Sequence, residues 1–480
     1  MKNKFIKLLS LAVCCIMLFG VMATLGSCGF FEKTPRAEDI LALDEEERAY
    51  ELFRIADRAS SKADTFTAEV GLSLNIGLSD LMSIASESTT KVFIEGAISE
   101  VYKEHSETDT TVTVTNGEEE PTVETVNTVQ GFIDGKLYRS TEKAGSTSKM
   151  WSPITKLEYF DHKEFLDDGI EIALTKDTCF TATLTYNDDG TWVATFTDFF
   201  SDALETYENY VEAISTYFPI GTELDDVTVE IGVTEDFLID YIKVDYIYKN
   251  AENGSAPLPT VALAAEIFDY NATEVQNTDL SEYTEIADIR VIDKLEKTLS
   301  VIADKKSAEF NVTSTQTNYL HGDTSEMEQT YNVTYSNTDG KFASSITHTD
   351  HLGVVTVTEY MNGKKIIAID GGDEQVEESS DLIEKEYVKS LITSGSHLFL
   401  DIIDVEKDGS RDHLTIAESE ELRELWKTVL GADTLEICEG SITVKLDGGK
   451  LVEFTYEFEV QVKADRSDFG IYTVTECVFE

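Results

Sequence analysis

Cysteine, proline and positive charge are all scarce in this chain of 480 residues, and each scarcity excludes something. Six cysteines are too few for a disulfide scaffold, in which cysteine exceeds about 8% of a short chain. With 6 Pro and 28 Gly, the chain is neither collagen-like nor a Pro/Gly-rich disordered polymer, and a 41% hydrophobic content lets most of it fold. Lys plus Arg number 38 against 92 Asp plus Glu, a formal charge of −54 at pH 7. Such a surface repels a phosphate backbone, so nucleic acid is excluded as a partner. Reaction signatures are missing as well: there is no Gly-x-Ser-x-Gly elbow, no His-Glu-x-x-His, no P-loop and no Gly-x-Gly-x-x-Gly after a strand. Beyond the first 27 residues, no run is apolar over the roughly 20 residues that a membrane span needs.

What is present begins at the N-terminus. Lys2, Lys4 and Lys7 precede an apolar run from Leu8 to about Phe19, which Gly20 interrupts. That is the pattern of an export signal, and the run is too short for a permanent anchor. It ends in Leu25-Gly26-Ser27-Cys28, which resembles the lipobox of bacterial lipoproteins, two small residues directly before a cysteine. The resemblance implies cleavage after residue 27 and acylation of Cys28, which becomes the new N-terminus. Residues 1–27 contain three lysines and no acid, so the mature chain is still more acidic. It is expected to be held to the cell membrane by acyl groups on Cys28, on the extracytoplasmic face, with residues 28–40 as a lipidated tether.

The remainder reads as two copies of one plan. Ala49, Leu52, Phe53, Ala56 and Ala59 lie at helical spacing and lead to Phe66-Thr67-Ala68-Glu69-Val70; Ile292, Leu295, Leu299 and Ile302 repeat the helix and Ala308-Glu309-Phe310 its exit. Phe132-Ile133-Asp134-Gly135-Lys136-Leu137-Tyr138 matches Tyr360-Met361-Asn362-Gly363-Lys364-Lys365-Ile366, each a hairpin turning on Asp-Gly or Asn-Gly. A second helix is expected in each copy, on Phe200, Leu204, Tyr207, Val211, Ile214 and Phe218 and on Leu422, Leu425, Trp426 and Val429. Both lead into hairpins. The clearest strand of all places Val452, Phe454, Tyr456, Phe458, Val460 and Val462 on one face and Glu453, Thr455, Glu457, Glu459 and Gln461 on the other. The expected class is therefore α+β: two tandem domains, each a curved antiparallel sheet with helices packed on one face. Residues 41–270 form the first repeat domain, 271–284 a polar linker and 285–480 the second.

On the opening helix, Asp134-Gly135-Lys136-Leu137-Tyr138 and the long alternating strand, the mature chain resembles the LolA-like and LprG-like half-barrel lipoproteins twice over. The resemblance implies a curved sheet that wraps helices around an acyl chain, in the envelope of a Gram-positive bacterium. No ligand-contact residue carries over, because the family offers no fixed motif.

Four groups of residues invite a chemical reading. His348-Thr349-Asp350-His351 offers two imidazoles and a carboxylate to a metal, against its reading as a polar hairpin tip. Asp404-Val405-Glu406-Lys407-Asp408-Gly409 begins like an EF-hand loop, but Thr415 stands at the twelfth position, where a bidentate glutamate is needed. Carboxylate pairs for glycoside hydrolysis are meaningless among 92 acids. Cys179 sits in an alternating strand as a small apolar residue, while Cys438 and Cys477 are expected on opposite sides of one central strand, too far apart to bridge. Neither a metal nor a cofactor is expected, and no catalytic residue is assigned. The favoured function is a non-catalytic module for a lipid or other hydrophobic ligand. An adaptor in a cell-envelope assembly, meeting an envelope protein partner, is the alternative, and a hydrolase ranks third. Cys28→Ser should abolish fatty-acid labelling of the chain and leave it uncleaved; persistent labelling would overturn the lipobox reading.

Overall fold

The computed structural model describes residues 36–79, 82–99, 101–116, 121–143, 146–166, 174–205, 207–208, 218, 222–250, 257–300, 302–320, 323–338, 341–372, 374–393, 400–409, 411–418, 427, 437–447, 450–464 and 467–479. The leader, Cys28 and the tether up to residue 35 lie outside them. So do most of the expected helix over 200–218 and nearly all of that over 422–429.

Two compact units part between Tyr283 and Thr284. The first opens with helices α1 (Ala37–Leu41) and α2 (Glu45–Ser60). A run of strands follows: β1 (Thr65–Ser79), β2 (Met82–Glu95), β3 (Lys103–Asn116), β4 (Thr122–Ile133), β5 (Lys136–Lys143) and β6 (Ser146–Pro153). Helix α3 (Lys156–Leu166) leads to β7 (Cys179–Tyr186), β8 (Trp192–Phe199), β9 (Thr222–Val233), β10 (Ile239–Asn250) and β11 (Thr260–Phe268). These strands lie in the order β6-β5-β4-β3-β2-β1-β11-β10-β9-β8-β7.

After a two-residue strand, β12 (Thr284–Glu285), the second unit has α4 (Arg290–Ser300) and the strands β13 (Ser307–Leu320), β14 (Asp323–Thr338), β15 (Lys341–Thr349), β16 (Val355–Met361), β17 (Lys364–Ile369) and β18 (Gln375–Glu378). Helix α5 (Asp381–Thr393) leads to β19 (Leu400–Asp408), β20 (Arg411–Glu418), β21 (Ile437–Asp447), β22 (Lys450–Ala464) and β23 (Ser467–Phe479). Their 11-stranded sheet runs β18-β17-β16-β15-β14-β13-β23-β22-β21-β20-β19, the same path as in the first unit. In each, two antiparallel meanders meet where the last strand of the unit pairs with its first.

The expected α+β class is overturned: the protein is mostly β, built on two large antiparallel sheets rather than on sheets with a packed helical layer. Lengths give the physical reason. Strands such as β1, with 15 residues, and β14, with 16, run about 50 Å at ~3.3 Å per residue. Helices of 11 to 16 residues span only about 16–24 Å. Each covers only part of its sheet and cannot form a layer. The helix stripes read from the sequence are nonetheless buried: Ala49, Leu52 and Ala56 on α2, and Ile292, Leu295 and Leu299 on α4, with Ile302 just beyond it.

The matching hairpins turn in the same way. Asp134 and Gly135 have φ of 51° and 75°, Asn362 and Gly363 of 52° and 78°. Positive φ at both central residues is the type I′ turn, which suits the twist of the flanking strands and calls for Asn or Asp followed by Gly. On β22, Phe454, Tyr456, Phe458 and Val460 are buried, while Glu453, Thr455, Glu457 and Glu459 are half-buried rather than open to water. The sequence reads as a loop over 464–469 that pairs Lys463 with about Gly470; the β22–β23 hairpin is tighter and pairs Lys463 with Asp468. Cys438 faces Val460 across one side of β22, and Cys477 faces Phe454 across the other. Two strand spacings, roughly 9.5 Å, separate them even before their offset along the strands. Neither is in a disulfide and both are buried, as is Cys179.

Residues 270–283, polar enough to suggest a bare linker, are tied to the first unit. Asn271 donates its backbone N–H to Thr65 O at 2.7 Å, Thr273 and Thr67 join hydroxyls at 2.8 Å, and Val275 N–H donates to Glu95 Oε2 at 3.0 Å. Thr278 Oγ1 reaches Tyr138 OH at 2.9 Å. Val275 packs with Ile133 and Tyr138, and Leu280 and Tyr283 add to the cluster alongside Phe93, Val129 and Trp151. Gly131 makes room for this: a Cβ there would lie 2.5 Å from Tyr138 OH. The segment is a strap across the outer face of β2 to β6. Native-state proteolysis should therefore spare 273–283. Tyr138→Ala, which removes the strap's main anchor, should speed cleavage there by roughly ten-fold or more; equal rates in the two proteins would show that the strap is not held by this contact.

Candidate functional site

Strand periodicity sorts the first sheet into two faces. On the buried face, β1 contributes Phe66, Ala68, Val70, Leu72, Leu74 and Ile76, while Glu69, Ser73 and Asn75 point to water. Leu72, Leu74 and Ile76 join Ile84 of β2, Val112 of β3, Tyr248 of β10 and Val261 of β11 in one apolar cluster, with Phe218, Leu224 and Tyr246 packed against it.

Along the same face toward the other end of β2 and β3, the lining changes chemistry. Ser86, Ser88 and Thr90 of β2, Ser106, Thr108 and Thr110 of β3, and Thr128 of β4 are all buried. The register sets Ser88 opposite Thr110 and Thr90 opposite Thr108, with their hydroxyls at 3.0 Å and 3.1 Å. Ser106 Oγ donates to Gln130 O at 3.4 Å. An unpartnered buried hydroxyl costs about 1–3 kcal/mol, and pairing removes that cost. Each pair uses one donor, so the second hydroxyl hydrogen and several lone pairs are left over for other oxygens.

Beyond this ladder the face ends in a cluster seated by α3. Lys163 of α3 meets Glu104 of β3 at 2.7 Å, with the Glu104 side chain 6% exposed. Tyr102 and Tyr159 donate their hydroxyls to the same carboxylate. Phe132 stacks on Tyr159 with ring centres 4.7 Å apart, and Tyr102 lies 4.9 Å from Phe160. Burial alone would push the Glu104 carboxyl upward; Lys163 and the two tyrosine hydroxyls outweigh it and hold it below its usual range. The second unit secures its corresponding helix in the opposite sense. There α5 supplies the acid, Glu384, which is buried with Oε1 3.2 Å from Lys365 of β17 and 2.6 Å from Ser379 Oγ. Asp381 at the start of α5 accepts from the Phe342 N–H at 3.1 Å and from Tyr360 OH.

The residues singled out from the sequence have structural surroundings. His348 closes β15 and stacks on Tyr331 at 4.3 Å. Asp350 accepts from the backbone N–H groups of Leu352 and Val354 at 2.8 Å and 2.9 Å, capping the turn. Val354 leads the contacts that hold its carboxyl low. His351 is exposed in the turn. Asp404 and Thr415, the two ends of the supposed EF-hand loop, face each other across the β19–β20 ladder, so no loop exists there to wrap a cation. Among the described residues, no group of three or more His, Cys, Asp or Glu is placed to hold a metal. Burial pushes the Cys179 thiol upward, and its neighbour Tyr50 donates to the Cys179 carbonyl at 3.0 Å. Burial likewise raises Cys477 strongly; neither thiol is poised as a nucleophile. The hydroxyl ladder was missed in the sequence. Ser86-Glu87-Ser88-Thr89-Thr90-Lys91 is polar on both faces, and the available signal was parity with Ile84, Val92 and Ile94.

No protein-family model and no curated protein matches the chain. Among solved structures, the lipoprotein LppX of Mycobacterium tuberculosis aligns over 40% of this chain and 95% of its own, at 10% identity and a TM-score of 0.22. Transferrin binding protein B of Haemophilus parasuis aligns over 87% of this chain and 76% of its own, at 8% identity and a TM-score of 0.14. OprB of Pseudomonas putida covers 90% and 94%, at 6% identity and a TM-score of 0.12. Superpositions this loose transfer neither fold nor activity to the chain.

The Glu104–Lys163 pair sets a pH test. A carboxyl held low in the folded state contributes stability above its unfolded pKa, and that contribution is lost as pH falls through the lowered folded value. Lys163→Met strands a buried carboxylate and should cost about 3–5 kcal/mol at pH 7. The loss should shrink toward pH 5, where the carboxyl takes up a proton, and Glu104→Leu combined with Lys163→Met should recover most of it. Urea unfolding at both pH values checks this; a loss independent of pH would refute the assignment.

Proposed function

We propose that the chain is a lipid-anchored lipoprotein on the extracytoplasmic face of a bacterial cell membrane, tethered through Cys28, whose first unit is a non-catalytic module for an apolar or lipid ligand. The observation that carries the reading is the buried face of the first sheet, where the apolar cluster around Leu74, Ile84 and Val261 gives way to the Ser88–Thr110 and Thr90–Thr108 ladder. An acyl chain lies against the first without desolvation cost, and ester or hydroxyl oxygens find spare hydrogen-bonding capacity in the second. Small-molecule sites combine a mostly apolar lining with a few placed polar groups in the same way. The acidic body is repelled by anionic headgroups, so it stands off the membrane on its tether. An adaptor role draws on a different surface, in the second unit.

Mass spectrometry of organic extracts of the purified chain carrying Cys28→Ser should find a lipid in stoichiometric amount. Ser88→Ala with Thr110→Val removes both members of a hydrogen-bonded pair and should change stability by less than about 1 kcal/mol, while lowering the retained lipid several-fold. An empty protein, or full retention in the double variant, would refute the ligand reading.

A further inference from the structure

The strap of the first unit covers a patch that the second unit leaves bare. In the first unit Tyr138 of β5 stands opposite Gly131 of β4 on one side and Trp151 of β6 on the other, and Ile133 lies on the same outer face. Val275, Leu280 and Tyr283 of the strap close over them, leaving Tyr138 0% and Ile133 7% exposed. The corresponding ladder of the second unit sets Ile366 of β17 opposite Glu359 of β16 and Val376 of β18. Met361, which precedes the Asn362-Gly363 turn as Ile133 precedes Asp134-Gly135, is 63% exposed, and Val376 is 61% exposed. Val357 and Ala368 extend this apolar strip only half-buried. β18 is the edge of its sheet, and all four of its residues are exposed.

We propose that the outer face of β16 to β18 is a docking surface for an extended segment of a partner protein, one carrying two or three apolar side chains and basic residues. Two observations choose this occupant. The first unit shows what covers such a face: a single stretch of chain without helix or strand of its own, turning between Leu280 and Tyr283, with apolar side chains spaced like Val275, Leu280 and Tyr283. The charge around the bare patch sets the rest. Glu359 and Glu378 share the outer face with the single opposing cation of that strip among the described residues, Lys364, which stands opposite Glu378 across the ladder, and the exposed Glu374 lies just before β18. An acidic rim favours lysine or arginine in the incoming segment. It also disfavours a second copy of this chain, since edge-to-edge pairing of two β18 strands would bring glutamates face to face. This is strand-edge and groove recognition, with main-chain pairing and side-chain pockets side by side. It is independent of ligand binding in the first unit.

The probe is a fluorescent peptide copying residues 273–283 with Glu274→Lys, Asp279→Lys and Glu282→Lys, titrated against the full chain and followed by anisotropy. Saturable binding is expected, at least ten-fold weaker for the unsubstituted peptide. Val376→Glu and Met361→Glu, both at exposed positions, should each weaken binding ten-fold or more, while Leu352→Glu, at an exposed apolar residue in the β15–β16 turn, should leave it unchanged. The proposal is overturned if the basic peptide does not bind, if both peptides bind equally, or if the Val376 and Met361 variants bind like the parent. It is equally overturned if vesicles of neutral phosphatidylcholine bind the full chain in place of the peptide and lose that binding in the same two variants, since the patch would then be a lipid contact.

Discussion

Each sheet hangs on one pairing between strands far apart in the sequence. In the first unit β1 joins β11, with Leu72 opposite Leu263 and Leu74 opposite Val261. In the second, β13 joins β23, with Val312 opposite Cys477. Apart from the two-residue β12, all the other neighbours along each meander are also neighbours in sequence, so these two long ladders merge two separate hairpin arrays into a continuous surface. A slip of one residue at either would turn every side chain of one meander to the opposite face. The apolar residues that alternate along β1 forbid this, because the slipped register would place Glu69 and Ser73 inside. Closing such a contact must also precede most of the stabilisation it makes possible, which predicts slow folding for both units.

The same alternation lets the two faces of a sheet do different things. On one side of β2 to β4, hydroxyls and an ion pair are enclosed. On the other, a strap is laid down by side chains one position out of phase. The Tyr138 hydroxyl, which burial pushes up to about 12, accepts from Thr278 and lies 2.7 Å from His105 Nδ1, so the outer layer is secured by polar as well as apolar contact. Small steps in parity therefore separate a buried site from a binding surface.

Much of this organisation was legible in particular residues. The Asp134-Gly135 and Asn362-Gly363 turns, the β22 alternation and the helix stripe of α4 are local signals, and local geometry is what such signals report. The balance of helix and strand was not legible. Over Ser86–Lys91 of β2 and Asp323–Gln329 of β14, Ser, Thr and Glu leave no apolar alternation to mark a strand; what fixes these stretches as strands is pairing with neighbouring strands, which is non-local. The strap was hidden for a related reason: its fastening by Asn271, Thr273 and Thr278 uses polar residues, which composition reads as solvent-facing. The β22–β23 register turned on hairpin length, where a loop of a few residues and a tight turn look alike in sequence.

The opposite senses of the two helix clamps bear on how a duplicated chain avoids confusing its own parts. Sequences with the same strand order are at risk of exchanging elements while they fold. By the match of the two hairpins, Ser344 of the second sheet stands where the first has Glu104, and Leu137 of the first stands where the second has Lys365; α3 docked on the second sheet would bring Lys163 to Ser344, and α5 docked on the first would bring Glu384 to Leu137. Either mistake encloses a charge with no counter-ion, a far larger penalty than an imperfect apolar fit. The place of each counter-ion thus labels each helix for its own half of the molecule, and a chain whose halves share one path can still sort them as they form.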